Sequence, residues 1–162
     1  MRAQQKGGKT VYKKILVPID GSELSKHALE SSMEFALKWE AELLVVSVIP
    51  PVPANVYRES GNFIMHTRMR DLEEFDKTIE RAHMKVLLDA ENMVKEGHPE
   101  LKITPILEKR HVSIRIMEIA EEEDVDLIVM GNRGLSGIKS WFLGSVSKHI
   151  VEHCKKPILI VK

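Results

Sequence analysis

Asp126-Leu127-Ile128-Val129-Met130-Gly131-Asn132-Arg133-Gly134, followed after nine residues by Gly144-Ser145-Val146-Ser147, is the stretch whose reading decides the fold. Residues 127–130 form a continuous apolar run, the pattern of a strand covered on both faces. Residues 145–153 carry helical spacing, with Val146 and Ile150 on one side and His149 and His153 on the other. A strand that opens into glycines and then into a helix amino terminus builds an anion site. Glycine lets the backbone approach the anion closely. The first-turn amides of the helix lack partners, and its dipole favours negative charge. Ser145 and Ser147 add hydroxyl donors. The stretch therefore predicts a nucleotide-phosphate cradle.

Working outward, strands and helices alternate. Residues 15–20 read as a first strand closed by Gly21 and Ser22, and a helix follows to about Trp39. On that helix Ala28, Ser32, Phe35, Ala36 and Trp39 share a face. Residues 42–49 are almost wholly apolar and read as a second strand, stopped by Pro50, Pro51 and Pro53. A polar loop runs to about His66, then a helix from about Arg68 to Glu96, ended by Gly97 and Pro99. Its apolar stripe is Leu72, Phe75, Ile79, Ala82, Val86, Ala90 and Met93. Residues 102–107 give a third strand, Ser113 caps a third helix, residues 127–130 form a fourth strand, and residues 157–161 close with a fifth. Continuously apolar strands alternating with helices predict an α/β fold. It is a single open five-stranded parallel sheet, doubly wound and Rossmann-like, with strand order 3-2-1-4-5.

Length and composition agree. The 162 residues suit one domain spanning 13–162, preceded by a basic, disordered tail over 1–12. Lys plus Arg and Asp plus Glu are both 24, so zero net charge offers no electrostatic case for nucleic acid or an anionic membrane. A single cysteine, Cys154, precludes an intrachain disulfide and fits a cytoplasmic setting. No apolar run is long enough to span a bilayer. Gly8-Lys9-Thr10 resembles the end of a Walker A loop, but Ala3 stands where that motif needs glycine, and the segment precedes the first strand.

In open parallel sheets, ligands bind beyond the carboxyl ends of the strands where strand order reverses. Three segments converge there: 18–20, 48–49 and 130–147. Gly131, Gly134, Gly144 and Ser145 suit phosphates, and Asp20 can accept hydrogen bonds from ribose or base. Ile19, Val48 and Met130 can wall an adenine ring, while backbone near Pro18 and Val48 reads its edge. Arg133 reaches phosphate or solvent with equal ease. Trp141 and Phe142 cover the phosphate loop or meet a partner.

The motifs KILVPIDGS (14–22), DLIVMGNRG (126–134), LGSVS (143–147) and KPILIV (156–161) resemble the universal stress protein family. The likeness covers the chain from about residue 13 onward. The spacing G-x2-G-x9-G-S matches the pattern of that family's ATP-binding branch. The resemblance implies that Pro18, Asp20 and Val48 serve adenosine, and that Gly131, Gly134, Gly144, Ser145 and Val146 serve the phosphates of ATP or AMP. It also implies Mg2+ or Mn2+ held through phosphate oxygens, and a homodimer paired through the last strand.

Three functions compete. The leading one is a dimeric, nucleotide-responsive stress or signalling module. A slow ATPase or phosphotransferase is the alternative, but it needs a base or water-orienting group near the terminal phosphate. Asp20 belongs at the nucleoside end, and Asp124 and Asp126 enter the fourth strand at its far end. A scaffold with a vestigial pocket is third, and the intact glycine pattern argues against it. The Ser-Gly-Gly-x-Asp-Ser run of pyrophosphatases and the His-Ile-Gly-His signature of class I synthetases are both absent. His149 and His153, four residues apart with Cys154 next, have metal-compatible spacing but no third ligand in prospect, and the two histidines read as a polar helix face.

Overall fold

A computed structural model describes residues 12–51, 65–135 and 143–162, with residues 65–72 as backbone. Its elements run β1 (Lys14–Pro18), α1 (Glu23–Trp39), β2 (Glu42–Ile49), α2 (Met65–Gly97), β3 (Ile103–Lys109), α3 (Val112–Glu122), β4 (Leu127–Gly131), α4 (Ser145–His153) and β5 (Ile158–Val161). All strand pairs are parallel, in the order β3-β2-β1-β4-β5, as the sequence predicts. The chain winds outward from β1 through β2 to β3, then returns to the other side of β1. The order therefore reverses between β1 and β4.

Alternation along each strand divides the core into two layers. Ile15, Val17, Leu43, Val45 and Val129 face Ala28, Leu29 and Met33 of α1 and Leu87, Ala90 and Val94 of α2. Leu16, Leu44, Val46, Val48, Ile128 and Met130 face Ile116, Ile119 and Ala120 of α3 and Ile150 of α4. Both faces are covered, so the strands carry no polar alternation. One buried exception, Ser47, has a specific role described below.

The start of α1 is chemically marked. Ser22 is its N-cap and accepts the Ser25 amide at 3.2 Å, with Glu23 in the first turn, where a negative charge suits the dipole. Three expectations need correction. Ser113 does not cap α3; His111 holds that position, and Ser113 is buried one residue inside the helix. In α2, Phe75 is 55% exposed and Ala82 is exposed too, while Leu87, Ala90 and Val94 are buried. Two apolar stripes coexist on this helix, and contact with β2 and β3 selects the one through Leu87 and Val94. Tyr12, read as tail, packs its ring against Trp39 at 4.6 Å between centroids. The rest of the tail, most of the loop up to His66, the side chain of Leu72 in the stripe, and the pair Trp141 and Phe142 lie outside the described residues.

Candidate functional site

The carboxyl end of β1 continues as Ile19, whose amide donates to the Val46 carbonyl at 2.8 Å. Gly21 then turns the chain at φ 85°, a conformation open to glycine and costly for other residues. The Asp20 carboxylate bridges two segments. Its Oδ1 accepts the Ser22 amide at 3.0 Å, and its Oδ2 accepts the Leu135 amide at 2.9 Å, 115 residues along the chain. Capping of α1 falls to Ser22, and Asp20 instead ties the β1 exit to the loop after β4.

That loop is held from its other side by Asn132. Its amide donates to the Val161 carbonyl at 2.8 Å, and its carbonyl accepts from the Gly144 amide at 2.8 Å and from Ser147 Oγ at 2.7 Å. Strand end and helix start are thereby fixed together. Gly144 is the N-cap of α4 and offers no side-chain cap. The first-turn amides of Ser145, Val146 and Ser147 have no partner within the helix and face outward with the positive end of its dipole.

Between these segments lies a cavity of about 530 Å³, within the usual range for a small-molecule site. It opens at the reversal of strand order. Pro18, Ile19, Asp20, Val48, Met130, Gly131, Arg133, Gly134, Gly144, Ser145, Val146 and Ser147 all line it. These twelve residues are therefore at one place. The Ser147 hydroxyl has a different job from the one expected. It is 2% exposed and donates to backbone carbonyls, so it braces the loop and does not add a free donor.

The three glycines also differ. A methyl group at Gly134 would lie 2.1 Å from Asp20 Oδ2. At Gly131 it would lie 3.0 Å from the backbone of Leu24 in α1, and at Gly144 it would lie 3.4 Å from Arg133. Only Gly134 must be small because of the carboxylate at the site.

Sequence reasoning missed His83, Val112 and Ile116, which also line the cavity. Val112 and Ile116 extend an apolar wall from Val46 and Val48 across to α3. His83 comes from α2, and its Nδ1 lies 2.8 Å from Ser47 Oγ. The Ser47 hydroxyl donates to the Ile19 carbonyl at 3.0 Å.

Burial pushes the His83 imidazole below its ordinary value, and attraction to the Asp20 carboxylate only partly opposes this. As pH falls, the unfolded chain thus takes up a proton at this residue before the folded one does. The histidine costs nothing above about pH 6.5, and the folded state weakens below that value until its own lower midpoint is reached. His83→Phe should therefore flatten part of the stability loss that sets in as pH falls below about 6.5, read by urea unfolding at stepped pH. Parallel profiles for the two proteins would refute it.

The opposite end of the sheet is structural. Asp126 Oδ2 accepts the Lys13 and Lys14 amides at 2.7 and 2.9 Å, and Asp124 pairs with Lys156 at 2.8 Å. Neither carboxylate approaches the cavity. His149 and His153 stack at 4.3 Å, with His153 Nδ1 donating to the His149 carbonyl. Among the described residues no group of three or more metal-ligating side chains is assembled. No described helix is long and apolar enough to cross a membrane.

Comparison with known proteins places this geometry in context. The model of the universal stress protein family matches residues 11–162. The universal stress protein YxiE of Bacillus subtilis is 31% identical over 152 residues, covering 94% of this chain and all of that protein. The universal stress protein MJ0577 of Methanocaldococcus jannaschii is 30% identical over 159 residues, covering 94% of this chain and 96% of that one. Its solved structure superposes with a TM-score of 0.73 over 94% of this chain and 97% of its own. A universal stress protein of Archaeoglobus fulgidus, solved in complex with dAMP, shares the fold at a TM-score of 0.62 and 20% identity, over 94% of this chain and all of that one.

Proposed function

Because the chain belongs to the universal stress protein family, we propose that it is an adenine-nucleotide-binding protein of stress or signalling function, taking ATP or AMP in the cavity between β1 and β4. One observation carries the reading. A single cavity joins an apolar wall, a carboxylate and an uncapped helix start, the three chemistries that base, ribose and phosphate would need. Val48, Val112, Ile116 and Met130 wall the base, Asp20 takes sugar hydroxyls, and the 131–134 loop with Ser145 and Val146 receives phosphate oxygens. The dAMP held by the Archaeoglobus fulgidus relative fits the same class of ligand.

Mg2+ or Mn2+ would sit on phosphate oxygens, since the described residues offer no protein cage for it. Partnering is proposed as a homodimer through β5, an edge strand whose Leu159 is exposed. The setting is proposed as cytoplasmic. The protein binds and responds without needing to turn ATP over: Asp20, the carboxylate lining the cavity among the described residues, is assigned to the sugar and not to the terminal phosphate.

Calorimetry of the purified protein with ATP, ADP and AMP should give one site per chain, and sedimentation should report a dimer. Failure of all three nucleotides to bind would end the nucleotide reading, and a monomer at micromolar concentration would end the dimer.

A further inference from the structure

His83 belongs to no glycine motif, yet it occupies the cavity wall beside Asp20. Its chemistry follows from a proton count. A serine hydroxyl has one hydrogen, and that of Ser47 goes to the Ile19 carbonyl. Ser47 can then only accept from His83, so His83 Nδ1 carries the proton. The neutral ring thus has a bare lone pair on Nε2, and Nε2 makes no hydrogen bond to a described residue. Ser47 is fully buried and its bond to Ile19 lies next to Asp20, so the ring orientation is built into the sheet.

Asp20 and His83 both line this cavity, so the Asp20 carboxylate and the unprotonated Nε2 of His83 are two acceptors belonging to one site. Neither suits a phosphate, because the first repels it and the second offers it no proton. Each suits a neutral donor. Adenine carries one such donor, its amine, but the apolar wall that would hold the base is Val46, Val48, Val112 and Ile116, on the α3 face of the sheet. Ser47 alternates with Val46 and Val48 and turns to the α2 face. The group left for His83 is the sugar.

Resting on the nucleotide reading above, we propose that His83 Nε2 accepts a hydrogen bond from a ribose hydroxyl of the bound nucleotide, beside Asp20. It thereby makes the site selective for ribose over deoxyribose.

The test compares adenosine 5′-monophosphate with its 2′-deoxy and 3′-deoxy analogues by calorimetry. One of the two analogues should bind the wild-type protein about fivefold more weakly, the worth of a neutral hydrogen bond, and His83→Phe should erase that difference. A His83→Phe variant that weakens all three ligands equally, or none, overturns the proposal. The wild-type protein supplies an independent check through the nitrogen-15 shifts of His83. Nδ1 should be the protonated nitrogen, and Nε2 should shift when AMP is added. A ring protonated on Nε2 overturns the assignment, whatever binds. Absence of any nucleotide binding overturns this proposal together with the function on which it rests.

Discussion

Gly134→Ala should lower the affinity for ATP and AMP by about ten- to a hundredfold while leaving the protein folded. The added methyl would fall 2.1 Å from Asp20 Oδ2, well inside any permitted contact. Asp20 is a short side chain, and each of its oxygens already accepts a backbone amide. It cannot move aside without releasing Leu135 and turning its carboxylate from the cavity. The loop then loses its tie to β1, and the ligand loses its acceptor. Gly134 itself is exposed at the rim, so the fold should lose only about the worth of one hydrogen bond, near 1 kcal/mol. Asp20→Ala provides the decisive comparison. Once the carboxylate is gone, a methyl at position 134 has nothing to strike. The double variant should bind no worse than Asp20→Ala alone, a coupling as large as the single effect of Gly134→Ala. Simple additivity, or undiminished affinity in Gly134→Ala, would show that the two residues do not act as one unit.

The parts of this molecule that were legible in the sequence are those where local chemistry and tertiary position agree. β2 reads correctly over Glu42–Ile49 because a strand buried on both faces is apolar throughout and prolines stop it. α4 reads correctly over Ser145–His153 because Gly144 breaks the chain just ahead of a helical pattern. That the candidate residues would share one cavity was legible for a related reason. They sit at strand ends and a helix start, and the topology alone brings those places together.

What stayed hidden depends on how helices lie across the sheet. The pattern of α2 supports two apolar faces, and nothing local says that Val94 will be buried and Phe75 exposed. His83 lies within a charge-rich helix, where a histidine carries no signal of its own. Its meaning comes from Ser47, 36 residues earlier and on another element. Ser147 looked like a ligand donor because a hydroxyl at a helix start usually is free. The Asn132 carbonyl beside it could not be placed without the fold.

Gly131→Ala should affect stability where Gly134→Ala affects binding. Gly131 ends β4, pairs in register with Val161 of β5, and is buried. A methyl there would meet the Leu24 carbonyl carbon, oxygen and Cβ, all at 3.0 Å. These atoms belong to the first turn of α1, which is pinned by the Ser22 cap and by Ser25 Oγ donating to the Ser22 carbonyl at 2.8 Å. No side-chain rotation relieves the contact, so α1 or the end of β4 must give way. Overpacking of this kind costs about 1–3 kcal/mol. For a chain of this size each kcal/mol lowers the melting temperature by about 2–4 °C. Thermal unfolding of the nucleotide-free protein reads the effect with no ligand involved. Gly131→Ala should fall by that margin, and Gly134→Ala should fall by less. If Gly131→Ala melts with the wild-type protein, then close helix–strand packing is not why glycine stands at the end of β4. The need for small size at position 131 would then lie with the ligand alone, and the two variants should become indistinguishable in calorimetry.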